Sequence, residues 1–212
     1  MEATRRGFWA SQAKVAMANT LRLFIAVELP EEVLRRLGEV LAGLRQQRLP
    51  GIRWVRPEGI HLTLKFLGGV EESRIPGIVL AMEKAVAGVR PFTLRMEDAG
   101  AFPNMRSPRV VWLGVNGDVA PLVGIQQRLE EALEAQGFER ESRKFSAHLT
   151  LGRVNGRLTP REIEGLAAAM GQVQRMEAAE IPVNSISLME STLRPDGAEY
   201  RMRAEAPVEQ PS

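Results

Sequence analysis

Two identical tetrapeptides, far apart in the chain, constrain its fold more than any other feature. His61-Leu62-Thr63-Leu64 and His148-Leu149-Thr150-Leu151 contain the only two histidines of the sequence. At average residue usage, a given histidine is followed by Leu-Thr-Leu on the order of once in 10³ cases. Two such matches are therefore not accidental, and they indicate an internal duplication with one motif in each half of the fold.

Each tetrapeptide has the residue alternation of a β-strand. In a strand, residues i and i+2 lie on the same face, about 7 Å apart. We therefore expect His61 and Thr63 to share one face, and His148 and Thr150 to share another, while the leucines point into a core. Two such strands facing a common cleft would form a nearly symmetric site with two imidazoles and two hydroxyls.

This set of groups suits in-line displacement at phosphorus. That reaction needs a base where the nucleophile enters and an acid where the leaving oxygen departs. Imidazole, with an ordinary pKa of about 6.5, can serve as either partner near neutral pH. Threonine hydroxyls can hold the phosphate oxygens. The motifs therefore predict a phosphodiesterase that needs neither a metal nor another cofactor.

Other chemistries fit the sequence less well. A single histidine on an apolar strand is usually structural, but packing gives no reason to repeat both the histidine and the threonine. A zinc site would need a further ligand, and H-E-x-x-H is absent. The chain has no cysteine, which excludes disulfides, thiolate metal sites and a cysteine nucleophile. It also has no G-x-S-x-G element of a serine hydrolase.

The size and element pattern predict one α+β domain with mainly antiparallel sheets. The chain has 212 residues, of which 44% are hydrophobic and 25% charged, with a net charge of only +2. We expect a leader over residues 1–20 that is disordered or reflects a misassigned start, a single domain over 21–207, and a loose tail over 208–212. The predicted strands are Leu21–Glu28, Ile52–Arg56, Ile60–Leu67, Pro91–Glu97, Pro108–Val115, Phe145–Leu151, Ile181–Met189 and Tyr200–Ala204. The predicted helices are Glu31–Gln47, Glu71–Val89, Val119–Gln136 and Thr159–Gln174.

The segments around the motifs resemble a known family. These segments are RLFIAV at 22–27, WVRP at 54–57, HLTLKFLG at 61–68, FPN at 102–104, PRVVWLGV at 108–115, FSAHLTLGR at 145–153 and ESTL at 190–193. Together they resemble the two-histidine (2H) phosphoesterase superfamily, and within it the bacterial RNA 2′,3′-cyclic phosphodiesterases of the LigT-like branch, once called 2′-5′ RNA ligases.

The resemblance implies a fold, an activity and residue roles. The fold would be two-lobed and pseudo-twofold, with helices packed outside and a central cleft. His61 would donate a proton to the ribose 3′ oxygen, and His148 would accept one from water. Thr63, Thr150 and Arg153 would bind the phosphate. The product would be a 2′-phosphomonoester, and the reverse reaction would join RNA ends through a 2′-5′ linkage.

The position of two nearby cations is open at this stage. Unbroken alternation puts Arg153 on the face opposite Thr150, unless Gly152 relaxes the strand. Lys65 has the parity of His61 but lies about 13 Å along the strand, where a solvated strand end is an equally good interpretation. Cations upstream of both motifs, including Arg53, would guide an RNA backbone, and those before the second motif, which alternate with acids, would equally well form a solvated loop. Trp54, Phe102 and Trp112 are candidates for base stacking, although Trp112 fits a core position better.

The predicted partners are RNA ends or nucleotides with a cyclic phosphate, with no membrane, and the protein is expected to be a cytoplasmic monomer. Two alternatives remain open. The substrate would be a small cyclic phosphate, such as ADP-ribose cyclic phosphate or a 2′,3′-cyclic nucleotide, or the protein would bind RNA ends without catalysis.

Overall fold

The computed structural model of the protein describes residues 20–175, 178–194 and 197–209. These residues form nine strands and four α-helices. The strands are β1 (Thr20–Val27), β2 (Ile52–Trp54), β3 (Leu62–Glu71), β4 (Phe92–Phe102), β5 (Val110–Gly117), β6 (His148–Val154), β7 (Ala179–Val183), β8 (Ser185–Arg194) and β9 (Gly197–Pro207). The helices are α1 (Glu31–Gln46), α2 (Ile75–Val86), α3 (Val119–Glu134) and α4 (Pro160–Val173).

The strands form one antiparallel sheet with two related halves. The order is β7-β4-β5-β6-β3-β1-β8-β9, and β2 pairs with the end of β6. The two motif strands, β3 and β6, meet at the centre through a single residue pair, Leu62 with Leu149. Each motif strand is thus the inner edge of a four-stranded half, which confirms the predicted α+β fold with antiparallel pairing.

The helices cover one face of the sheet and leave the other to the site. Helices α2 and α3 pack against each other on the half that contains β3, β8 and β9. Helices α1 and α4 pack against β7 and β4 of the other half. Because α1 follows β1 in the chain but packs on the opposite half, the two halves are interlocked. We call the uncovered side of the sheet the site face.

The helices form where apolar spacing and end signals agree. In α1, Val33, Leu37, Leu41 and Leu44 recur at helical spacing and are buried, which gives the helix one apolar stripe toward the sheet. Helix α4 begins at a capping box, in which the Thr159 hydroxyl accepts a hydrogen bond from the backbone N–H of Glu162 and the Glu162 carboxylate accepts one from Thr159.

Several predicted element boundaries were wrong, and two of these differences have identifiable reasons. The strand predicted to end at Leu67 continues through Gly68 and Gly69, because these glycines pair with Leu23 and Arg22 of β1. The segment predicted as one strand over 181–189 is two strands, β7 and β8, separated at Asn184. Both corrections come from pairing partners distant in sequence, which local residue patterns do not indicate.

The chain ends differ in part from the expectation. The predicted leader lies outside the described residues except for Thr20, which begins β1. The predicted loose tail does not begin at 208, because Val208 is only 1% exposed and its backbone N–H donates to the Asn184 carbonyl. The backbone N–H of Glu209 donates to the Val89 carbonyl. Residues 210–212 lie outside the described residues.

Candidate active site

The two motifs meet at the centre of the site face. Leu62 and Leu149, which are paired and 0% exposed, point into the core. The neighbouring positions on both strands point the other way, so the same antiparallel register sets Thr63 beside His148. It likewise sets His61 beside Thr150. The two histidines, His61 and His148, therefore occupy diagonal positions on neighbouring strands. Residues at diagonal positions are about 7–8 Å apart, which leaves space between the two imidazoles for one phosphate group.

A β-bulge follows the first motif. Thr63 and Lys65 pair with adjacent residues of β1, so Leu64 is an extra residue in β3. A bulge shifts the alternation of side chains by one position. Lys65 therefore points into the core rather than onto the site face, and Phe66 points onto the site face.

The second motif has a bulge at the equivalent place. Thr150 and Gly152 pair with adjacent residues of β5, so Leu151 is the extra residue in β6. The shift turns Gly152 toward the core and Arg153 onto the site face beside Thr150. The parity problem of Arg153 is thereby resolved in the way that Gly152 was expected to allow. The fifth residue after each histidine, Phe66 in one half and Arg153 in the other, thus faces the site.

Lys65 is neither on the site face nor at a solvated strand end, so both interpretations of this residue from the sequence were wrong. Lys65 is 6% exposed and its ammonium group lies 2.6 Å from the Glu130 carboxylate of α3. It also donates to the backbone carbonyl of Glu139 at 2.5 Å, and the same carboxylate accepts from the backbone N–H of Glu141. This buried network joins the first motif strand to the segment that leads into the second motif.

His61 lies in an aromatic environment. Its ring stacks on Phe24, with centroids 4.4 Å apart and an interplanar angle of 28°, and meets the edge of Tyr200 at 5.1 Å. Burial lowers the pKa of His61 to about 4, although a hydrogen bond from the ring to the Gly59 backbone opposes this effect. Desolvation disfavours the charged imidazolium, so His61 is neutral at pH 7 in the unliganded protein.

The ring of His148 is held by a hydrogen bond to the backbone two residues upstream. Its Nδ1 lies 2.7 Å from the carbonyl oxygen of Ser146, two residues upstream, just as His61 bonds Gly59 two residues upstream. A carbonyl accepts, so Nδ1 carries the proton and the Nε2 lone pair is available to a ligand. The ring meets the edge of Phe102 at 5.0 Å.

The aromatic residues around the site differ from those first considered. Trp54 packs against the core, and Trp112, expected in the core, lies on the site face opposite Thr150 and against Phe102. Phe66 and Tyr200 were not predicted as site residues from the sequence. Phe66 is 65% exposed beside Phe24. Its place in the HLTLKFLG segment was the only sequence signal for it, and the direction of its side chain follows only once the bulge at Leu64 is known.

The structure therefore brings His61, Thr63, His148, Thr150 and Arg153 to one face, while their individual roles stay predictions. Within the described parts of the chain, no three His, Cys, Asp or Glu side chains are arranged to hold a metal ion. None of the helices described is long and apolar enough to span a membrane.

The duplication is visible in the match to a family model. The model described as LigT like Phosphoesterase matches residues 27–112 and then residues 113–200. Each matched segment contains one motif. The chain belongs to the LigT-like phosphoesterase family. The resemblance inferred from the motifs is thus confirmed, as is the enzyme class, a phosphoesterase.

Curated relatives of this family cover most of the chain. The RNA 2′,3′-cyclic phosphodiesterase of Methanothermobacter thermautotrophicus is 35% identical over 85% of this chain and 95% of its own length. The RNA 2′,3′-cyclic phosphodiesterase of Thermotoga maritima is 33% identical over 89% of this chain and 96% of its own length.

Solved structures share the fold. TT0787 of Thermus thermophilus superposes with a TM-score of 0.69 at 28% identity, covering 89% of this chain and 98% of its own. LigT of Escherichia coli in complex with 3′-AMP superposes with a TM-score of 0.66 at 26% identity, covering 90% and 99%. These family members confirm the α+β architecture predicted from the sequence.

Proposed function

We propose that the protein hydrolyses the 2′,3′-cyclic phosphodiester at RNA ends to a 2′-phosphomonoester by acid–base catalysis between its two histidines. The observation that carries this proposal is the pairing of Leu62 with Leu149, since it brings both motifs to one face in antiparallel register. The printed names of the curated relatives support the substrate class.

The attacking water is activated by His148. Its Nδ1 donates to Ser146, which leaves the Nε2 lone pair to accept a proton as the water oxygen forms a bond to phosphorus. The bond between phosphorus and the ribose 3′ oxygen breaks as this new bond forms. The phosphate stays on the 2′ oxygen.

The departing 3′ oxygen receives its proton from His61. Burial holds the pKa of this residue near 4 in the unliganded protein, but a phosphodiester anion within about 4–6 Å favours the imidazolium by roughly 1–3 pH units. Substrate binding therefore charges the acid. An imidazolium with a low pKa also gives up its proton readily, which suits a poorly leaving alkoxide. Proton exchange with solvent resets both rings.

The remaining groups bind the substrate. Thr63 and Thr150 donate hydroxyl hydrogen bonds to the non-bridging phosphate oxygens, and Arg153 on the same face adds a guanidinium. The exposed ring of Phe66 offers a flat apolar surface on which the nucleobase stacks. No cofactor or metal takes part in the proposed steps. Because one chain supplies both motifs, the protein would act as a monomer.

The same site can run in reverse. With a ribose 5′-hydroxyl in place of water, His148 would deprotonate the hydroxyl, and attack on the cyclic phosphate would form a 2′-5′ linkage. Hydrolysis is favoured in water because water is the more abundant nucleophile.

A turnover assay on 2′,3′-cyclic AMP in the presence of EDTA tests the proposal. The expected product is 2′-AMP, formed at an unchanged rate when EDTA is added. Formation of 3′-AMP would contradict the assigned directions of attack and departure. Loss of activity in EDTA would contradict catalysis by two histidines alone. If the protein turned over neither the mononucleotide nor an RNA with a cyclic phosphate end, the proposed function would be overturned.

A further inference from the structure

We infer that Arg53 and Arg153 together bind a second phosphate, the one on the 5′ side of the nucleotide that carries the cyclic phosphate. This inference rests on the proposed function and specifies its substrate: an RNA end or a 5′-phosphorylated nucleotide is preferred to a nucleoside cyclic phosphate.

The register of β2 on β6 brings the two arginines together. Arg53 pairs directly with Arg153. The flanking side chains of Ile52 and Trp54 pack toward the core, so Arg53 points the opposite way, onto the site face. The bulge at Leu151 turns Arg153 to the same side. Two arginine side chains therefore leave paired positions of neighbouring strands on the same face, just beyond the second motif.

Among the described residues, no carboxylate forms an ion pair with either arginine of this pair. Within residues 20–175, 178–194 and 197–209, neither Arg53 nor Arg153 forms an ion pair, and both are exposed. Like charges directly opposite each other destabilise a sheet. An anion placed between the two arginines removes that repulsion. A phosphate can accept hydrogen bonds from the N–H groups of both guanidinium groups.

The strand that carries Arg53 is fixed in position. The backbone N–H of Val55 donates to the Leu151 carbonyl at 2.9 Å, and that of Asn155 donates to the Gly51 carbonyl at 2.8 Å. A Cβ atom on Gly152 would lie 2.8 Å from the Trp54 ring, so the glycine is what allows β2 to approach so closely. The arginine pair is therefore part of a rigid sheet rather than a loop.

The location matches the course of an RNA strand. Thr150 and Arg153 pair with Trp112 and Val110, two residues apart on β5, so they are about 7 Å apart at roughly 3.3 Å per residue. Arg53 lies on the neighbouring strand β2. The phosphate held at Thr150 would be the cyclic one. Arg153, between Thr150 and Arg53, would contact this phosphate and, together with Arg53, bind the next phosphate along the chain. The equivalent position in the other half is Phe66, so the site has an aromatic end for the base and a cationic end for the backbone.

The test compares adenosine 2′,3′-cyclic phosphate with its 5′-phosphorylated form, which differ only in the second phosphate. The wild-type protein should show a higher kcat/KM for the 5′-phosphorylated substrate, by about tenfold for hydrogen bonds to a charged group. Arg53→Ala should remove most of this preference. Arg161→Ala, which removes one exposed cation from α4 on the helical side, is the matched control and should retain it.

Binding of the products separates this inference from the proposed function. Adenosine 2′,5′-bisphosphate should bind the wild type more tightly than 2′-AMP, with the difference lost in Arg53→Ala and reduced by salt. If the protein turned over neither substrate but kept this binding pattern, the proposed function would fail and the inference would stand. Equal kcat/KM for the two substrates in the wild type, or a preference unchanged in Arg53→Ala, would overturn the inference.

Discussion

At the residue scale, the two histidines are chemically identical but differ in their surroundings. His61 lies between Phe24 and Tyr200, whereas His148 meets one phenylalanine edge-on and has Nδ1 hydrogen-bonded to a carbonyl. Burial lowers the pKa of His61 to about 4. The motifs alone cannot distinguish acid from base, and this difference in surroundings is the basis for the proposed roles of His61 as acid and His148 as base.

We predict that the histidines act as one unit. His61→Ala and His148→Ala should each lower kcat by about 10²–10⁴-fold, the typical contribution of general acid–base catalysis. The double variant should lose little more than either single variant, because removing one partner already disables the concerted proton transfer. Thr63→Val should cost less. Losses in the double variant equal to the product of the single losses would contradict the paired mechanism.

The ionisation of His61 should respond to a bound phosphate. With only two histidines in the chain, a proton NMR titration yields two imidazole signals, which His61→Ala and His148→Ala assign. We expect the pKa of His61 near 4 without ligand, and about 1–3 pH units higher with saturating 2′-AMP, because the phosphate anion favours the imidazolium.

Two outcomes of that titration would contradict the assignment of His61 as the acid. A pKa near 6.5 without ligand would mean that the ring is solvated. A pKa that stays near 4 with 2′-AMP bound would leave no protonated acid at neutral pH.

At the scale of single elements, the matched bulges explain what the sequence could and could not predict. Alternation correctly placed His61 with Thr63 and His148 with Thr150, because those pairs precede the bulges. It misplaced Lys65 and left Arg153 uncertain, since each lies beyond an extra residue. A bulge depends on the pairing strand, which a local pattern of apolar and polar residues does not encode.

The buried ion pair between β3 and α3 should be a strong determinant of stability. Lys65→Met would leave the Glu130 carboxylate buried without its cation, a change that costs about 3–5 kcal/mol of unfolding free energy. Lys65→Met with Glu130→Leu should recover most of that loss, because a well-packed apolar pair has no charge to desolvate. Urea unfolding of both variants and the wild type measures this difference.

The double variant also tests a positional role. The Lys65 and Glu130 side chains bond the backbone of Glu139 and Glu141, ahead of the second motif. If the network only stabilises the fold, the double variant should regain wild-type kcat with its stability. A recovered stability with a kcat that stays low would show that the network also positions His148.

At the scale of the whole molecule, the duplication explains why one chain forms a site with two different ends. Each half contributes a motif strand, and the halves meet at one residue pair, Leu62 with Leu149. The backbone is nearly symmetric there, down to the bulge and the hydrogen bond from each histidine to a backbone group two residues upstream. Divergence at the equivalent positions Phe66 and Arg153 provides the asymmetry that a directional substrate requires.

The unfolding of the whole molecule should depend on pH through His61. Its pKa is near 4 in the folded protein and about 6.5 in the unfolded chain. Between these values the unfolded state binds a proton that the folded state does not, so the unfolding free energy falls as pH falls from about 6.5 to 4 and then levels off. The full contribution is roughly 3 kcal/mol at 1.36 kcal/mol for each pH unit.

His61→Asn isolates this contribution from the carboxylates that also titrate in acid. Urea unfolding of the wild type and the variant at several values between pH 4 and pH 7 gives the difference in unfolding free energy. Because the variant lacks the titrating ring, its stability relative to the wild type should rise as the pH falls. Parallel curves for wild type and His61→Asn would show that His61 is solvated in the folded protein.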